Sequence, residues 1–277
     1  MRGSLGWACA HVGGYPSPMS GEAIEGFKRD PGSAGLFLDF DGTLSEIVTV
    51  PSEARPAPGV LEVLDELSAR YRLVAIVSGR SAHELLEWLP RIEVWGVHGA
   101  QRTLDGEVVM SDRAAPFSDL MKHVRVDAEA AVRAAGIEGV IVEDKGVMVG
   151  LHFRAASDRA RAERELDRIA AQLAERHGLW RAGGKLAYEL RPPAVFSKAA
   201  VVLDRAREED LEAVAFFGDD VVDLPGFDAL DILENEGART LRVAVDSSEA
   251  PRALIERADV VVPGPAGAVS LLRELLA

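Results

Sequence analysis

From Leu36 onward, short runs of β-branched and aromatic residues alternate with segments of helical periodicity, which restricts the chain to a parallel sheet wrapped by helices. The predicted strands are Leu36–Leu38, Leu73–Val77, Val94–Val97, Val214–Phe217, Arg242–Val245 and Val260–Val262. Helices fall between them. Pro58–Arg70 sets Val60, Leu61, Leu64 and Leu67 on one face, Ser81–Leu89 does the same with Leu85, Leu86 and Leu89, and Gly267–Leu276 closes the series.

Between about Ser111 and Pro193 the rhythm changes to helix, two strands, helix, two strands. Ser118–Ala135 and Ser157–Gly178 read as helices; Val140–Val142, Val147–Phe153, Leu179–Ala182 and Leu186–Leu190 read as strands. This pattern predicts an inserted domain over 113–193 within a core built from 33–112 and 194–277, with Pro116 and Pro192-Pro193 suited to the hinges. Residues 1–32, rich in Gly, Pro and Ser without periodicity, read as a disordered leader or an over-long start, with Met19 an alternative initiator. The run Leu5–Ala10 is too short and interrupted for a signal peptide.

Lys and Arg number 31 against 45 Asp and Glu, a net charge of −14, and the basic residues are scattered, which argues against nucleic acid as a partner. An anionic substrate would then need a few local donors and a metal ion. The single cysteine, Cys9, excludes an internal disulfide, and no Cys/His spacing suggests zinc, so a reducing cytoplasm is the expected compartment. No apolar run reaches the ~18 residues of a membrane span.

The segment Leu36-Phe-Leu-Asp39-Phe-Asp41-Gly42-Thr43 runs an apolar strand straight into two aspartates. Period two starts Asp39 and Asp41 on the same side, and Gly42 lets the chain turn away. A carboxylate can attack phosphorus if a cation offsets the mutual repulsion, and a second carboxylate can protonate the leaving oxygen and later activate water. An acidic turn after a strand is the plainer alternative.

Two other strands end in matching groups: Val74–Val77 runs into Ser78-Gly79-Arg80, and Val214–Phe217 into Gly218-Asp219-Asp220, with Asp223 a turn later. In parallel sheets ligands bind beyond the carboxyl ends of strands, so these groups are expected at one crevice. Ser78 can donate to a phosphate oxygen. Asp219, with Asp39 and a carbonyl near Asp41, forms an oxygen-ligand Mg²⁺ site, with Asp220 and Asp223 as supporting anchors. Asp219-Asp220 also suits a helix N-cap, and both roles are compatible. Lys198, ahead of the apolar helix Ala199–Ala206, supplies a cation beside helix N–H groups; by position alone a solvated surface lysine is the commoner outcome.

Together Asp39-Phe-Asp41-Gly-Thr43, Ser78-Gly79-Arg80, Lys198 and Gly218-Asp219-Asp220 with Asp223 resemble the four motifs of the haloacid dehalogenase superfamily of phosphatases. Within it the chain is similar to the trehalose-6-phosphate phosphatase family from about Leu36 to the C-terminus, including Gly96-Val-His98-Gly99-Ala100, Val142-Glu143-Asp-Lys145, His152-Phe-Arg154 and Gly184–Pro192. The resemblance implies an α/β Rossmannoid core with helices on both faces and an inserted α/β cap of the C2 type. It implies Asp39 as nucleophile, Asp41 as general acid/base, Ser78, Gly79, Arg80 and Lys198 around the phosphate, and Asp39, Asp41 and Asp219 around Mg²⁺, with Thr43, Asp220 and Asp223 in support. It further implies that Glu143, Lys145, Arg154, Lys185 and Glu189 grip a disaccharide, that trehalose 6-phosphate is hydrolysed, and that a trehalose-phosphate synthase is a functional partner.

Alternation on the strand Lys185–Arg191 sets Lys185, Glu189 and Arg191 on one face and Leu186, Tyr188 and Leu190 on the other, which also describes an ordinary half-exposed strand. The family pattern has threonine and glutamate where this chain has Val222 and Leu224, and glycine where it has Ala199. Gly183-Gly184-Lys185 lacks the rest of a Walker loop, Ser78 lies in no nucleophile elbow, and His98 reads as a packing or turn residue rather than a metal ligand. Another sugar phosphatase (for sucrose, glucosylglycerol or mannosylglycerate phosphate), a sugar phosphomutase and a non-catalytic sugar-phosphate sensor are the remaining alternatives.

Overall fold

The computed structural model describes residues 18–48, 51–184, 186–193, 196–247 and 250–277. In chain order the principal elements are α1 (Pro18–Arg29), β1 (Ala34–Leu38), α2 (Val60–Arg70), β2 (Leu73–Val77), α3 (Ala82–Trp88), β3 (Glu93–Gly96), β4 (Gln101–Leu104), β5 (Glu107–Met110), α4 (Ser118–Ala135), β6 (Ile141–Asp144) and β7 (Val149–His152). There follow α5 (Arg159–His177), β8 (Trp180–Gly184), β9 (Ala187–Arg191), α6 (Lys198–Glu208), β10 (Ala213–Gly218), α7 (Leu224–Asn235), β11 (Arg239–Asp246), α8 (Arg252–Arg257), β12 (Val260–Pro263) and α9 (Gly264–Leu276). Packing separates two compact units, one of Ala75–Arg205 and one of the segments on either side of it.

In the flanking unit four parallel strands pair in the order β12-β11-β10-β1. The runs in β1 and β10 are apolar at nearly every position and every residue is buried, the pattern of strands covered on both faces. Helices α7 and α9 pack on β11, and α2 packs on α9. Gly226 makes the close approach of α7 possible, since a Cβ there would stand 2.6 Å from the Phe216 ring. The register sets Leu38 beside Phe217, so β1 and β10 end level.

Residues 18–29 differ from the unstructured leader expected there. They form α1, whose Ile24 and Phe27, three residues apart, are buried while the helix packs on β11 and α9. The Gly, Pro and Ser content hid a stripe only two residues deep. Residues 1–17, with Cys9, lie outside the described residues.

In the unit Ala75–Arg205, β2 and β3 are parallel, and β3, β4 and β5 are antiparallel. The β4–β5 hairpin is absent from the predicted strands, because each arm is four residues of mixed polarity and only partly buried. Its turn, Asp105-Gly106, has φ of +52° and +80°, the left-handed pair of a tight hairpin. Strand β3 stops at Gly96, one residue before the expected end, because Val97 turns left-handed.

The same unit holds a second, antiparallel sheet in the order β6-β7-β9-β8. Helices α4 and α5 pack on each other and against it. Val124 and Ala128 of α4 join Leu166, Ile169 and Leu173 of α5 and Leu151 and Leu190 of the sheet in one core. Gly136 and Gly178 end the two helices in left-handed conformations. Among the described residues no helix is long and apolar enough to cross a membrane.

Candidate functional site

The first group of candidate side chains belongs to the flanking unit. Asp39 continues the β1 ladder by donating its N–H to the Phe217 carbonyl at 2.9 Å, and its side chain is 5% exposed. The chain then turns at Gly42, with φ +79°, where a Cβ would lie 2.0 Å from Asp219 Oδ2. Only glycine admits both the backbone conformation and the approach. Thr43 Oγ1 donates to Asp219 Oδ1 at 3.3 Å.

Beyond β10, Asp220 caps the short 3₁₀ turn Val221–Asp223 by accepting from the Val221 N–H at 2.6 Å. In return Asp223 Oδ2 accepts from the N–H groups of Asp219 and Asp220, each at 3.0 Å. The cap and the site therefore share the same residues. One carboxylate oxygen from each of Asp39, Asp219 and Asp223, all buried, lies within 4.8 Å of the others.

Asp223, expected as an anchor, thus joins the carboxylates themselves despite Val222 and Leu224 on either side. The Asp41 carboxylate stands outside this trio: Asp41 lies past the end of β1, where period two no longer governs direction, and its backbone bridges to Ser45. Two ionised carboxylates no more than 4.8 Å apart repel by roughly 3 kcal/mol or more at an effective dielectric of ~20. A set of three hard oxygen donors that relieves this by binding a divalent cation suits Mg²⁺.

The second group belongs to the unit Ala75–Arg205. Ser78, 1% exposed, follows β2, and its Oγ accepts from the Arg80 N–H at 3.2 Å. Arg80 lies 3.9 Å from Glu84 and over the Trp88 ring. Lys198 opens α6 and is only 2% exposed, so it is not the solvated surface lysine of the plainer reading. A buried ammonium demands an anion or close polar partners.

His98, read as a packing or turn residue, lies in the turn after β3 and packs beside Gly79 of this group. Burial first, then the positive charges of Lys198, Lys145 and Arg191, push its pKa down to about 3, so the imidazole is neutral through the physiological range.

On the second sheet the register lines up Glu143, Gly150 and Glu189 across β6, β7 and β9. Lys145 Nζ sits 3.6 Å from Glu143 Oε2 and 3.4 Å from Glu189 Oε1. His152 Nε2 lies 2.7 Å from the same Glu143 oxygen. Gly150 leaves the space, since a Cβ there would meet His152 Nε2 at 2.7 Å. His152, chiefly, and Lys145 hold the Glu143 carboxyl below its usual range. Tyr188 and Leu190 face away into the packed side, where Tyr188 stacks on Phe153. Arg154 is exposed in the turn after β7, and Lys185 lies outside the described residues.

The trehalose-phosphatase family model matches residues 37–259. The trehalose-phosphate phosphatase of Mycobacterium bovis (strain BCG / Pasteur 1173P2) is 36% identical over 204 residues, covering 70% of this chain and 51% of the relative. That of Mycobacterium marinum is 32% identical over 237 residues, covering 80% and 59%. The chain thus spans about half the length of the curated relatives it matches.

Among solved structures, a trehalose-6-phosphate phosphatase related protein superposes with TM-score 0.69 at 25% identity, covering 86% of this chain and 95% of that one. The C-terminal domain of the Candida albicans trehalose-6-phosphate phosphatase (TM-score 0.71, 21% identity, 95% and 99% covered) shares the fold, as does a haloacid dehalogenase-like hydrolase from Bacteroides thetaiotaomicron (TM-score 0.57, 15% identity, 87% and 98% covered). Matched by the family model over most of its length, the chain belongs to the trehalose-phosphatase family.

Proposed function

We propose that this chain is a phosphatase that hydrolyses trehalose 6-phosphate to trehalose and phosphate through an aspartyl phosphate on Asp39. The observation that carries the reading is the buried trio Asp39, Asp219 and Asp223, which family membership alone does not dictate in a chain carrying Val222 and Leu224.

An Asp39 carboxylate oxygen attacks phosphorus and the bond from phosphorus to the sugar oxygen breaks, while Asp41 gives that oxygen a proton. Asp41 then takes a proton from water as the water oxygen attacks phosphorus and releases Asp39. Ser78 and Lys198, with the Gly79-Arg80 backbone, hold the phosphoryl oxygens. Asp39, Asp219 and Asp223, with a backbone carbonyl near Asp41, would hold Mg²⁺, which when bound offsets the charge between nucleophile and phosphoryl group. Residues 113–193 act as the cap, where Glu143, Lys145, Arg154, Lys185 and Glu189 pair with sugar hydroxyls. Buried hydroxyls need such paired donors and acceptors. A cytoplasmic location and a functional pairing with a trehalose-phosphate synthase extend the same reading.

Phosphate release from trehalose 6-phosphate, sucrose 6-phosphate, glucosylglycerol phosphate, mannosylglycerate phosphate and glucose 6-phosphate tests it. The expected result is a clear preference for trehalose 6-phosphate, dependent on Mg²⁺ and abolished in Asp39→Asn. A flat substrate profile overturns the disaccharide assignment, and Mg²⁺-independent turnover overturns the mechanism.

A further inference from the structure

The turn between β3 and β4 stores backbone strain. Val97, His98 and Gly99 are left-handed in succession, with φ of +50°, +56° and +101°. Glycine adopts this conformation freely, whereas a β-branched valine does so only under constraint. A strained non-glycine residue persists only where its surroundings over-determine it. Here they do: the Val97 N–H donates to the Arg80 carbonyl and the His98 N–H to the Ser78 carbonyl, both at 2.8 Å, and the Val97 side chain is fully buried. A Cβ on Gly99 would lie 2.5 Å from Val201.

What the strain achieves is the placement of one imidazole. A Cβ on Gly79 would stand 3.0 Å from His98 Cε1 and 3.1 Å from Nε2, so the ring rests against the middle of Ser78-Gly79-Arg80. The positive charges of Lys198, Lys145 and Arg191 act on it electrostatically. Among the described residues the ring has no hydrogen-bond partner of its own. Arg191 Nε, on β9, is buried without a partner, its guanidinium over the Trp180 ring. A partly exposed imidazole without a partner and an unsatisfied guanidinium nitrogen mark a place for a ligand with its own donors and acceptors.

We propose that His98 is a specificity-determining substrate contact, one of whose ring nitrogens engages a hydroxyl of the sugar that carries the phosphate, as N–H donor or as lone-pair acceptor. The inference rests on the assignment of Ser78 and Lys198 to the phosphoryl group. An imidazole with one donor and one acceptor matches a hydroxyl, which has both, better than a phosphoryl group, which only accepts. Burial, and then the cations near the ring, keep it in that form and leave the phosphate to Ser78 and Lys198. A histidinium in this position would add a further charge and lose its acceptor.

The test compares kcat/KM for trehalose 6-phosphate with that for p-nitrophenyl phosphate, which has the phosphoryl group and no sugar hydroxyl, in wild type, His98→Ala and His98→Asn. The expected ratio of the two falls about tenfold or more in His98→Ala, the effect of one directed hydrogen bond. In His98→Asn it recovers part of that loss, since asparagine tolerates left-handed backbone and carries a donor and an acceptor. The pH profiles of wild type and His98→Asn coincide between about pH 5 and 9. A ratio unchanged within about twofold in both variants overturns the inference alone. A wild type that cleaves p-nitrophenyl phosphate but no sugar phosphate overturns instead the substrate assignment on which it rests.

Discussion

Gly42→Ala separates the needs of the fold from those of the site. A Cβ at this position would lie 2.0 Å from Asp219 Oδ2 and 2.3 Å from its Cγ, where ordinary contact begins near 3.4 Å. The Asp219 carboxylate must therefore swing away by more than about 1 Å, breaking its bond from Thr43. For the fold this is cheap: a side-chain rotation plus left-handed alanine, together about 1–2 kcal/mol. For the site it is not. Mg²⁺ demands near-ideal octahedral ligands at about 2.0–2.1 Å, and a misplacement of about 1 Å in a reacting assembly costs on the order of a hundredfold in rate. The assay is phosphate release over a Mg²⁺ titration, paired with thermal melting with and without Mg²⁺. Gly42→Ala should fold with a slightly lower Tm, lose the Mg²⁺-induced rise in Tm, and drop about a hundredfold in kcat/KM. A variant with wild-type Mg²⁺ half-saturation and kcat within threefold would refute the assignment of Asp219 as a ligand.

Asp223→Asn keeps an acceptor for the N–H groups of Asp219 and Asp220 and removes one charge from the trio, so without metal it should melt higher than wild type and with Mg²⁺ gain less; equal gains would remove Asp223 from the metal site. Phe27→Ala should cost about 3–5 kcal/mol in urea unfolding, as for a large buried side chain, and a loss below ~1 kcal/mol would mean that α1 contributes nothing to the core. Because the folded Glu143 pKa is depressed, its stabilising contribution is present above the unfolded value of 4.5 and lost as pH falls through the lower folded value. Glu143→Gln should therefore be less stable than wild type at pH 7, with the gap closing toward pH 3, as read by denaturant midpoints. Tyr71 donates its hydroxyl to the Leu275 carbonyl at 2.9 Å, and burial pushes its pKa up to about 12. The neutral hydroxyl's contribution is fully present below pH 10 and lost as pH rises through 12; Tyr71→Phe should cost about 1 kcal/mol at pH 7, and that deficit should shrink above pH 10 and reverse toward pH 12, where ionisation destabilises only the wild type.

Much of the fold was legible because its signals are local. β1 and β10 lie within a residue or two of the runs that predicted them, since a strand buried on both faces is an apolar run wherever it is found. The left-handed Gly42 and the capping role of Asp220 were equally readable from neighbours. The hairpin β4–β5 and helix α1 were not, because their short or sparse apolar patterns gain meaning only from what they pack against.

What the sequence by itself determined is where strands end and which acidic, hydroxyl and basic groups stand at those ends, because period and turn chemistry are properties of a few adjacent residues. The tertiary structure alone decided which carboxylates meet. Asp223 turns into the trio because its side chain caps the N–H groups of Asp219 and Asp220, while the Asp41 carboxylate, past the last ladder bond of β1, stands apart from it. It alone also decided that His98 rests on Gly79, held by bonds to Ser78 and Arg80 that lie about twenty residues away in sequence. A left-handed valine is unfavourable in any local account, and only contacts distant along the chain make it the lowest-energy choice.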